Sequence, residues 1–260
     1  MDWRERNGVR WLEAKMHGAH AAFTTRLGGV SAPPFDTLNL GLLTDDEEAN
    51  VVENRRRLAA ALGIDPASVP IARQIHGAEI LVHAGPQSPS PFAVPGTPLP
   101  EADGHVVTTP GLTPLVFVAD CLPIALLGPG GLALLHCGWR PLAAGILARG
   151  AAAVGATDAA IGPGIGPCCY EVGEEVLEVF GHLGAGIAEG RMLDLPEVAR
   201  RLLAATGVRR VEAAGLCTSC ESELFFSHRR DGGRTGRQAG LAWLNPIEFA
   251  TGEEPLPGAV

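Results

Sequence analysis

Lysine is almost missing from this 260-residue chain, because Lys15 is the only lysine among its 20 basic residues. All the other basic residues are arginines, so an arginine at a given position carries little information by itself. Acidic residues number 29, and the net charge of −9 leaves no broad basic face. Non-specific binding to nucleic acids or to membrane surfaces needs such a face, so we expect neither partner.

Long uninterrupted apolar segments are also missing. Residues 121–139 carry no formal charge, but two prolines and several glycines interrupt them, so we interpret this stretch as core and not as a membrane span. The first 11 residues lack the basic-then-apolar layout of a signal peptide. We therefore expect a cytoplasmic protein that does not bind membranes.

The six cysteines and eight histidines form no recognised framework. In a reducing compartment, cysteines are expected to be thiols, metal ligands or buried apolar residues, and not disulfides. Cys217 and Cys220 have CxxC spacing but no second matching pair, while the adjacent Cys168 and Cys169 are interpreted as core or pocket wall. The absence of any His-x-His pair argues against a multicopper centre, which rests on many imidazole ligands.

With 46% hydrophobic and 19% charged residues, the chain is long enough to bury a full core. We expect one domain over residues 1–260, with no internal repeat. Residues 84–100 form a proline-rich, uncharged loop within it, for which we expect the role of a lid.

Three apolar runs mark the centre of the chain. Residues 113–119, 124–128 and 132–136 are short, apolar and in part β-branched, which predicts three buried strands. Pro129-Gly130-Gly131, between the last two runs, has the turn chemistry of a hairpin.

The predicted hairpin brings two reactive side chains together. Its turn sets Ile124 roughly opposite His136, and Cys121, just before the strand, comes to the same end of the ladder. A thiol and an imidazole then converge where Arg140 and Pro141 open an alanine-rich helix. The sequence therefore predicts a functional site at a strand-to-helix junction.

Two elements precede the hairpin. Residues 44–47 have the spacing of a capping box, and the helix that follows is predicted to end at Gly63. Residues 71–82 are predicted to form a strand, which the pair His76-Gly77 breaks by a bulge or a close backbone approach.

His76, Cys121 and His136 form the candidate site. Two imidazoles and one thiolate leave a tetrahedral zinc ion one open position, which is the pattern of catalytic zinc. Their spacing matches no short metal motif, and buried structural histidines and cysteines are common, so both interpretations stay open on the residues alone. A cysteine hydrolase, with Cys121 as nucleophile and His136 as base, is a third interpretation.

Short motifs also follow one another along nearly the whole chain. They are Thr25-Arg26-x-Gly28-Gly29-Val30-Ser31, Leu38-Asn39-Leu40-Gly41, Asn54-Arg55, Gln74-x-His76-Gly77, Ala119-Asp120-Cys121-x-Pro123, His136-x-Gly138-Trp139-Arg140, Ile161-Gly162-Pro163-x-Ile165-Gly166, Tyr170-Glu171-Val172-Gly173, Cys217-Thr218 and Phe226-Ser227-x-Arg229-Arg230. In their number and order they resemble the YfiH family, long labelled "polyphenol oxidase, laccase domain".

The resemblance implies an α/β (α+β) fold, in which two mixed β-sheets pack together and are flanked by helices as an α/β/β/α sandwich. It implies a zinc ion held by His76, Cys121 and His136, with copper ranked second. It further implies purine nucleoside phosphorolysis, with adenosine, inosine, guanosine and methylthioadenosine as candidate substrates, and adenosine deamination in the same pocket. We rank this activity above the copper-dependent polyphenol oxidase (laccase-type) label, and we expect a monomer whose partners are purine nucleosides and phosphate.

The motif match also makes Asn39, Arg55 and Arg140 candidates for nucleoside or phosphate contacts. In phosphorolysis, a phosphate oxygen held by the metal and by Arg140 would attack the ribose C1′. In deamination a carboxylate would shuttle protons, and Asp120 is the closest one in sequence. Two alternatives stay open: a hydrolase of cell-wall (peptidoglycan) precursor peptides that uses Cys121, and a nucleotide-sensing module without turnover.

Overall fold

Two β-sheets packed face to face, with helices on both outer surfaces, form the fold in the computed structural model, which describes residues 1–86 and 88–246. The strands are β1 (Asp2–Arg6), β2 (Val9–Met16), β3 (Ala19–Thr24), β4 (Ile80–His83), β5 (Gly104–Val107), β6 (Leu115–Val118), β7 (Leu122–Gly128), β8 (Gly131–Cys137), β9 (Asp158–Ile161), β10 (Ala188–Glu189), β11 (Met192–Leu193), β12 (Arg210–Ala213) and β13 (Gln238–Leu244). The α-helices are α1 (Glu48–Leu62), α2 (Trp139–Ala143), α3 (Ile146–Val154), α4 (Glu174–Phe180) and α5 (Leu195–Ala205), and two 3-10 turns span Pro66–Ser68 and Gly181–Leu183. None of these helices combines the length and the apolarity that crossing a membrane requires.

The two large sheets differ in strand direction. The first has five strands in the order β1-β2-β3-β13-β6, and neighbouring strands run antiparallel. The second has six strands in the order β12-β9-β7-β8-β5-β4, where parallel pairs at both edges flank antiparallel pairs in the centre.

Three apolar clusters join the layers. One lies between the sheets and includes Phe23 and Leu134. A second packs the six-stranded sheet against α3, α4 and α5, and a third packs the five-stranded sheet against α1. Burial of these faces is the main force that holds the layers together. The layered α/β/β/α architecture that the resemblance implied is therefore confirmed.

The central hairpin forms as predicted, but its register differs by one residue. Pro123, and not Ile124, lies opposite His136, because the loop contains only two residues and Gly128 pairs directly with Gly131. Gly131 has φ +123°, a conformation that favours glycine. Cys121 still comes to the same end of the ladder as His136.

The strand predicted over residues 71–82 is wrong for most of its length. Only Ile80–His83 forms a strand, and residues 74–79 run as an irregular segment. His76 has φ +59°, which is left-handed and rare for a residue other than glycine. The backbone N–H groups of residues 75–77 donate to the buried carboxylate of Asp103 instead of to a neighbouring strand.

Helix α1 ends at Gly63 as predicted, where φ is +70°. The predicted capping box is wrong, because Glu47 occupies the N-cap position and its side chain caps no backbone N–H. The side chain of Asp46 instead accepts a hydrogen bond from the Ser31 hydroxyl at 2.6 Å. The polar residues before the helix therefore tie it to a loop from earlier in the chain.

Asn54 on α1 is fully buried and fastens the same loops. Its Oδ1 accepts a hydrogen bond from the Val30 N–H at 2.8 Å, and its Nδ2 donates to the Ser31 hydroxyl at 2.8 Å. Nδ2 also lies 3.1 Å from the carbonyl oxygen of Thr37 and 2.9 Å from that of Asn39. A single amide thus joins residues 30–39 to the helix.

Replacing Asn54 by Ala is expected to lower the free energy of unfolding by about 3 kcal/mol, because several buried polar groups lose their partner at once. Urea unfolding followed by circular dichroism measures the change. The matched control is Glu48→Gln, an exposed position on the same helix, for which a change within about 0.5 kcal/mol is expected. Equal stability of the two variants would contradict this role for Asn54.

Candidate active site

The structure brings His76, Cys121 and His136 together. Each offers one ligand atom, and the three atoms lie within 4.8 Å of one another. His136 lies on β8, Cys121 just before β7, and His76 in the irregular segment before β4. Neighbouring strands of one sheet therefore supply two of the groups, and a separate segment adds the third.

Asp103 organises this group, although no sequence pattern predicted this role for it. Its carboxylate is fully buried, and Oδ1 accepts a hydrogen bond from His136 Nδ1 at 2.8 Å. Oδ1 also accepts from the backbone N–H of His76 at 3.0 Å, while Oδ2 accepts from those of Gly77 at 2.7 Å and Ile75 at 3.1 Å. One carboxylate thus fixes the ring of one histidine and the backbone of the other.

These contacts suit a metal ion. Because Nδ1 of His136 donates to Asp103, Nε2 is left to act as the ligand, and such a carboxylate behind a histidine is typical of zinc sites. A Cβ on Gly138 would lie 2.7 Å from Cys121 Sγ, although φ is an ordinary −81° there. Glycine at position 138 thus leaves the space next to the thiolate free.

The thiol and the imidazole also shift each other's protonation. Burial raises the pKa of Cys121, but the positive charge and hydrogen bonds of His136 and His76 outweigh it and lower this pKa to about 6. Burial lowers the pKa of His136, yet the Cys121 thiolate and the Asp103 carboxylate raise it to about 9. The metal-free site therefore holds a thiolate and an imidazolium at neutral pH.

Cys137, the thiol next to His136, takes no part in this group. It is fully buried and packs in the cluster between the six-stranded sheet and the helices. Burial, followed by the charges of Cys121 and Asp103, raises its pKa well above the ordinary value. Its thiol is therefore kept neutral in the core.

A cavity of about 710 Å³ opens above His76, Cys121 and His136. This volume is ample for a nucleoside-sized ligand. The proline-rich loop forms part of its wall through Pro91, Gly96, Thr97 and Leu99. Besides the Cys121 and His136 pair, its lining includes four arginines, Arg55, Arg140, Arg229 and Arg237, and one carboxylate, that of Asp120. In a protein with a net charge of −9, this lining makes a local site for an anion.

The predicted contact residues occupy different places. Arg55 lines the cavity but is buried, and its Nε donates to the carbonyl oxygen of Leu40 at 2.9 Å. Burial lowers its pKa to about 10. Asn39 does not line the cavity, since its side chain is fully buried and accepts from the backbone N–H groups of Gly41 and Arg237. Asn39 thus supports two residues of the wall.

Arg140 is exposed at the rim, with its guanidinium carbon 4.3 Å above the ring of Trp139. Within the described residues, its guanidinium donates no hydrogen bond to another side chain or carbonyl group. Arg229 lies nearby, stacked 5.1 Å from the Tyr170 ring. The two arginines, one from α2 and one from the segment before β13, thus face the same cavity.

Asp120, the residue before Cys121, has φ +92° and a buried carboxylate. Its Oδ1 accepts from the Thr218 hydroxyl at 2.7 Å, and its Oδ2 accepts from the Arg229 N–H at 2.7 Å. Its carbonyl oxygen accepts from the N–H of Ile165 at 2.8 Å. Asp120 therefore fixes the position of Cys121 from behind.

Sequence reasoning missed several of these residues because no local pattern marks them. Asp103 lies 27 positions after His76 and 33 before His136. Tyr170 belongs to a quoted motif but received no role in the site, and His228 and Arg237 were likewise not assigned to the cavity. Only the tertiary fold places them along its wall.

Comparison with known proteins extends over most of the chain. Residues 20–245 match a family model described as multi-copper polyphenol oxidoreductase laccase. Purine nucleoside phosphorylase YfiH of Escherichia coli K12 is 38% identical over 248 residues, which cover 90% of this chain and 97% of that protein. Purine nucleoside phosphorylase YlmD of Geobacillus stearothermophilus is 37% identical over 252 residues, covering 89% and 91%. The crystal structure of the Bacillus licheniformis hypothetical protein YfiH superposes with a TM-score of 0.83 and 34% identity, covering 94% of this chain and 99% of that one.

In the metal-free protein, alkylation of Cys121 by iodoacetamide is expected to stay fast down to a pH of about 6, because the thiolate is the reactive form. Below that pH the rate should fall as the thiol takes up its proton. Peptide mass spectrometry after timed alkylation resolves Cys121 from the other cysteines. His136→Ala removes the neighbouring cation and should move the titration upward. An apparent pKa above about 8 in the parent protein would contradict the ion pair.

Replacing Asp103 by Asn is expected to weaken metal binding roughly 10- to 100-fold, because an amide cannot accept all the hydrogen bonds that fix the two histidines. Competition with chelators of graded affinity measures the change, and circular dichroism checks the fold. The control is Glu79→Gln, an exposed position on the same segment as His76, which should keep the parent affinity. Unchanged affinity in the Asp103 variant would show that the carboxylate does not organise the site.

Proposed function

Because the chain belongs to the YfiH family of multi-copper polyphenol oxidoreductase laccase proteins, we propose that it is a zinc-dependent purine nucleoside phosphorylase that also deaminates adenosine. The observation that carries this proposal is the His76, Cys121 and His136 group beneath an arginine-lined cavity. The names of the relatives supply the reaction class. The proposed substrates are adenosine, inosine and guanosine, with methylthioadenosine as a further candidate.

Zinc is the proposed metal because two imidazoles and one thiolate leave one of its four tetrahedral positions open. When bound, zinc supplies Lewis-acid polarisation next to the cavity. Copper ranks second, since a multicopper centre needs many imidazoles, and the metal-ligating groups in residues 1–86 and 88–246 contain at most two histidines each.

Phosphate is proposed to bind between Arg140 and Arg229. Guanidinium groups bind phosphate oxygens in pairs, and such charge-assisted hydrogen bonds are strong. Arg140 keeps its donors free toward the cavity, and Tyr170 holds the Arg229 guanidinium by stacking. The nucleoside is then proposed to fill the apolar side of the cavity near Phe117 and Leu99.

In the proposed phosphorolysis, an oxygen of phosphate forms a bond to the ribose C1′ while the bond from C1′ to the purine nitrogen breaks. The bonding electrons leave with the base, which takes up a proton, and ribose-1-phosphate is the second product. Arg140 and Arg229 hold the nucleophile beside C1′, so the two reactants meet in a fixed orientation. Their positive charge also compensates the negative charge of the phosphate during the reaction.

Deamination requires a group that carries protons to and from the purine. Asp120 is the only carboxylate that lines the cavity within the described ranges, and both of its oxygens already accept hydrogen bonds. We therefore expect that, when phosphate is present, the enzyme converts adenosine to adenine faster than it converts adenosine to inosine.

A cysteine hydrolase is the second candidate, because Cys121, His136 and Asp103 also form the thiolate, imidazole and carboxylate chain of a nucleophilic site. Peptide bonds of cell-wall precursors would then be the substrate. The two proposals exclude each other at the thiolate, since a cysteine that ligates zinc is not free to attack a carbonyl carbon. Metal content and activity measured on one preparation separate them.

The zinc-loaded protein, incubated with inosine, is expected to release hypoxanthine and ribose-1-phosphate only when phosphate is present. Chromatography of the products measures both. His76→Ala should lose the metal at this site and the turnover together. A His76 variant with full activity, or base release without phosphate, would contradict the proposal.

Arg140→Ala tests the phosphate site separately. Loss of a charge-assisted contact of about 1.5–3 kcal/mol should raise the phosphate KM roughly tenfold or more, with a smaller effect on the nucleoside KM. Arg149→Ala is the matched control, since Arg149 is an exposed arginine on α3 that pairs with Glu79 at 3.0 Å, outside the cavity. Equal phosphate KM values in the two variants would remove Arg140 from the proposed site.

A further inference from the structure

A second group of metal-ligating side chains lies apart from the three residues above. Cys168, Cys169, Cys217 and Cys220 each offer one sulfur atom, and all four atoms lie within 4.8 Å of one another. From this arrangement we propose that the four cysteines form a structural zinc site. The site uses none of the residues assigned to the reaction.

The sulfur positions suit a tetrahedral zinc ion. Zn–S bonds of about 2.3 Å place the sulfur atoms of a tetrahedral site about 3.8 Å apart. Cys220 Sγ lies 3.3 Å from Cys168 Sγ and 3.4 Å from Cys169 Sγ. These two separations lie within about half an ångström of that spacing, and the four atoms all lie within 4.8 Å of one another.

The local backbone explains how adjacent cysteines share one ligand group. Residues 167–169 form a turn, in which the N–H groups of Cys169 and Tyr170 both donate to the carbonyl oxygen of Gly166 at 3.1 Å. Side chains alternate between opposite faces in a strand, but not in such a turn. The strand assumed for these residues is therefore absent: Cys168 is exposed, whereas Cys169 is half-buried and packs against the cluster beside the helices, as its interpretation as core predicted.

The other two cysteines have the CxxC spacing of structural zinc sites. Residues 218–220 form a turn, which the N–H of Glu221 closes by donating to the carbonyl oxygen of Cys217 at 3.0 Å. The Gly166 N–H points at Cys217 Sγ at 3.3 Å. Hydrogen bonds from the backbone to a ligand sulfur are typical of the surroundings of metal sites.

Four thiolates fill all the positions of a zinc ion, which marks this site as structural. It ties two segments that reach the cavity. The first segment continues into Tyr170 in the cavity wall, and the second contains Thr218, whose hydroxyl donates to Asp120 beside Cys121. The proposed zinc ion thus stabilises the cavity wall from outside the cavity, whereas the group of His76, Cys121 and His136 faces into it.

A disulfide is the rival arrangement. It would join two of the four sulfur atoms at about 2.05 Å and needs an external oxidant, whereas zinc engages all four thiols. Cys220 lies almost equally far from two partners, which a single disulfide does not explain. The thiols are also partly exposed, so zinc can reach them from solvent.

Zinc content of the purified protein, measured by plasma mass spectrometry, tests the proposal. We expect one zinc ion for each ligand group, hence two per chain. Cys220→Ser and His76→Ala should each retain one, while Ser219→Ala, inside the CxxC turn, should retain both. Cys220→Ser should also lower the melting temperature. Loss of one zinc ion only from the His76 variant, with none lost from Cys220→Ser, would overturn the proposal.

Cobalt substitution of the His76→Ala protein gives a test that does not depend on how well the Cys220 variant folds. The remaining site should show intense thiolate-to-cobalt charge-transfer bands, as expected for four sulfur ligands, and zinc should abolish them. Titration of the free thiols in the denatured parent protein tests the disulfide alternative. Fewer than the six thiols of the sequence would indicate a disulfide, and absence of the cobalt bands would exclude the tetrathiolate.

Discussion

The buried carboxylate of Asp103 is the interaction on which the candidate site depends. A carboxylate removed from water must have its charge compensated and its oxygens hydrogen-bonded, because burying it unpaired is very costly. Asp103 meets this requirement with the ring of His136 and the backbone N–H groups of residues 75–77. The same bonds impose the left-handed conformation of His76 and turn its side chain toward Cys121. The need to compensate one buried charge thus determines how His76, Cys121 and His136 are arranged beside the cavity.

The sequence predicts the local half of this arrangement. Turn chemistry at Pro129 and Gly130 was sufficient to place Cys121 and His136 at one end of a hairpin, although the register was one residue off. The spacing of residues along the chain was not sufficient to place His76 beside Cys121 and His136. The match of its motif to the family supported that placement. Its position depends on a hydrogen bond to Asp103 across 27 residues, and no periodicity encodes a contact of that kind.

Residues of the family motifs divide into two kinds once the fold is known. Arg140 reaches the cavity directly, whereas Asn39 and Asn54 bond the loops behind it with their side-chain amides. A motif match does not separate these roles, because polar residues with either role look alike in sequence. The adjacent Cys168 and Cys169 illustrate the same limit. In a strand their side chains would point to opposite faces, but they lie in a turn, where both sulfur atoms belong to one group.

Exposure increases stepwise across the three ligand residues, and this has a consequence for metal exchange. His136 is 4% exposed, Cys121 is half-buried, and His76 is exposed. In the proposed metal site, an ion that enters through the cavity therefore contacts His76 first and the inner pair last, and it departs in the reverse order. Any molecule that fills the cavity covers this route, so occupancy and metal residence time are linked. The proposed zinc enzyme would therefore hold its ion longer when a ligand fills the cavity than when the cavity is empty.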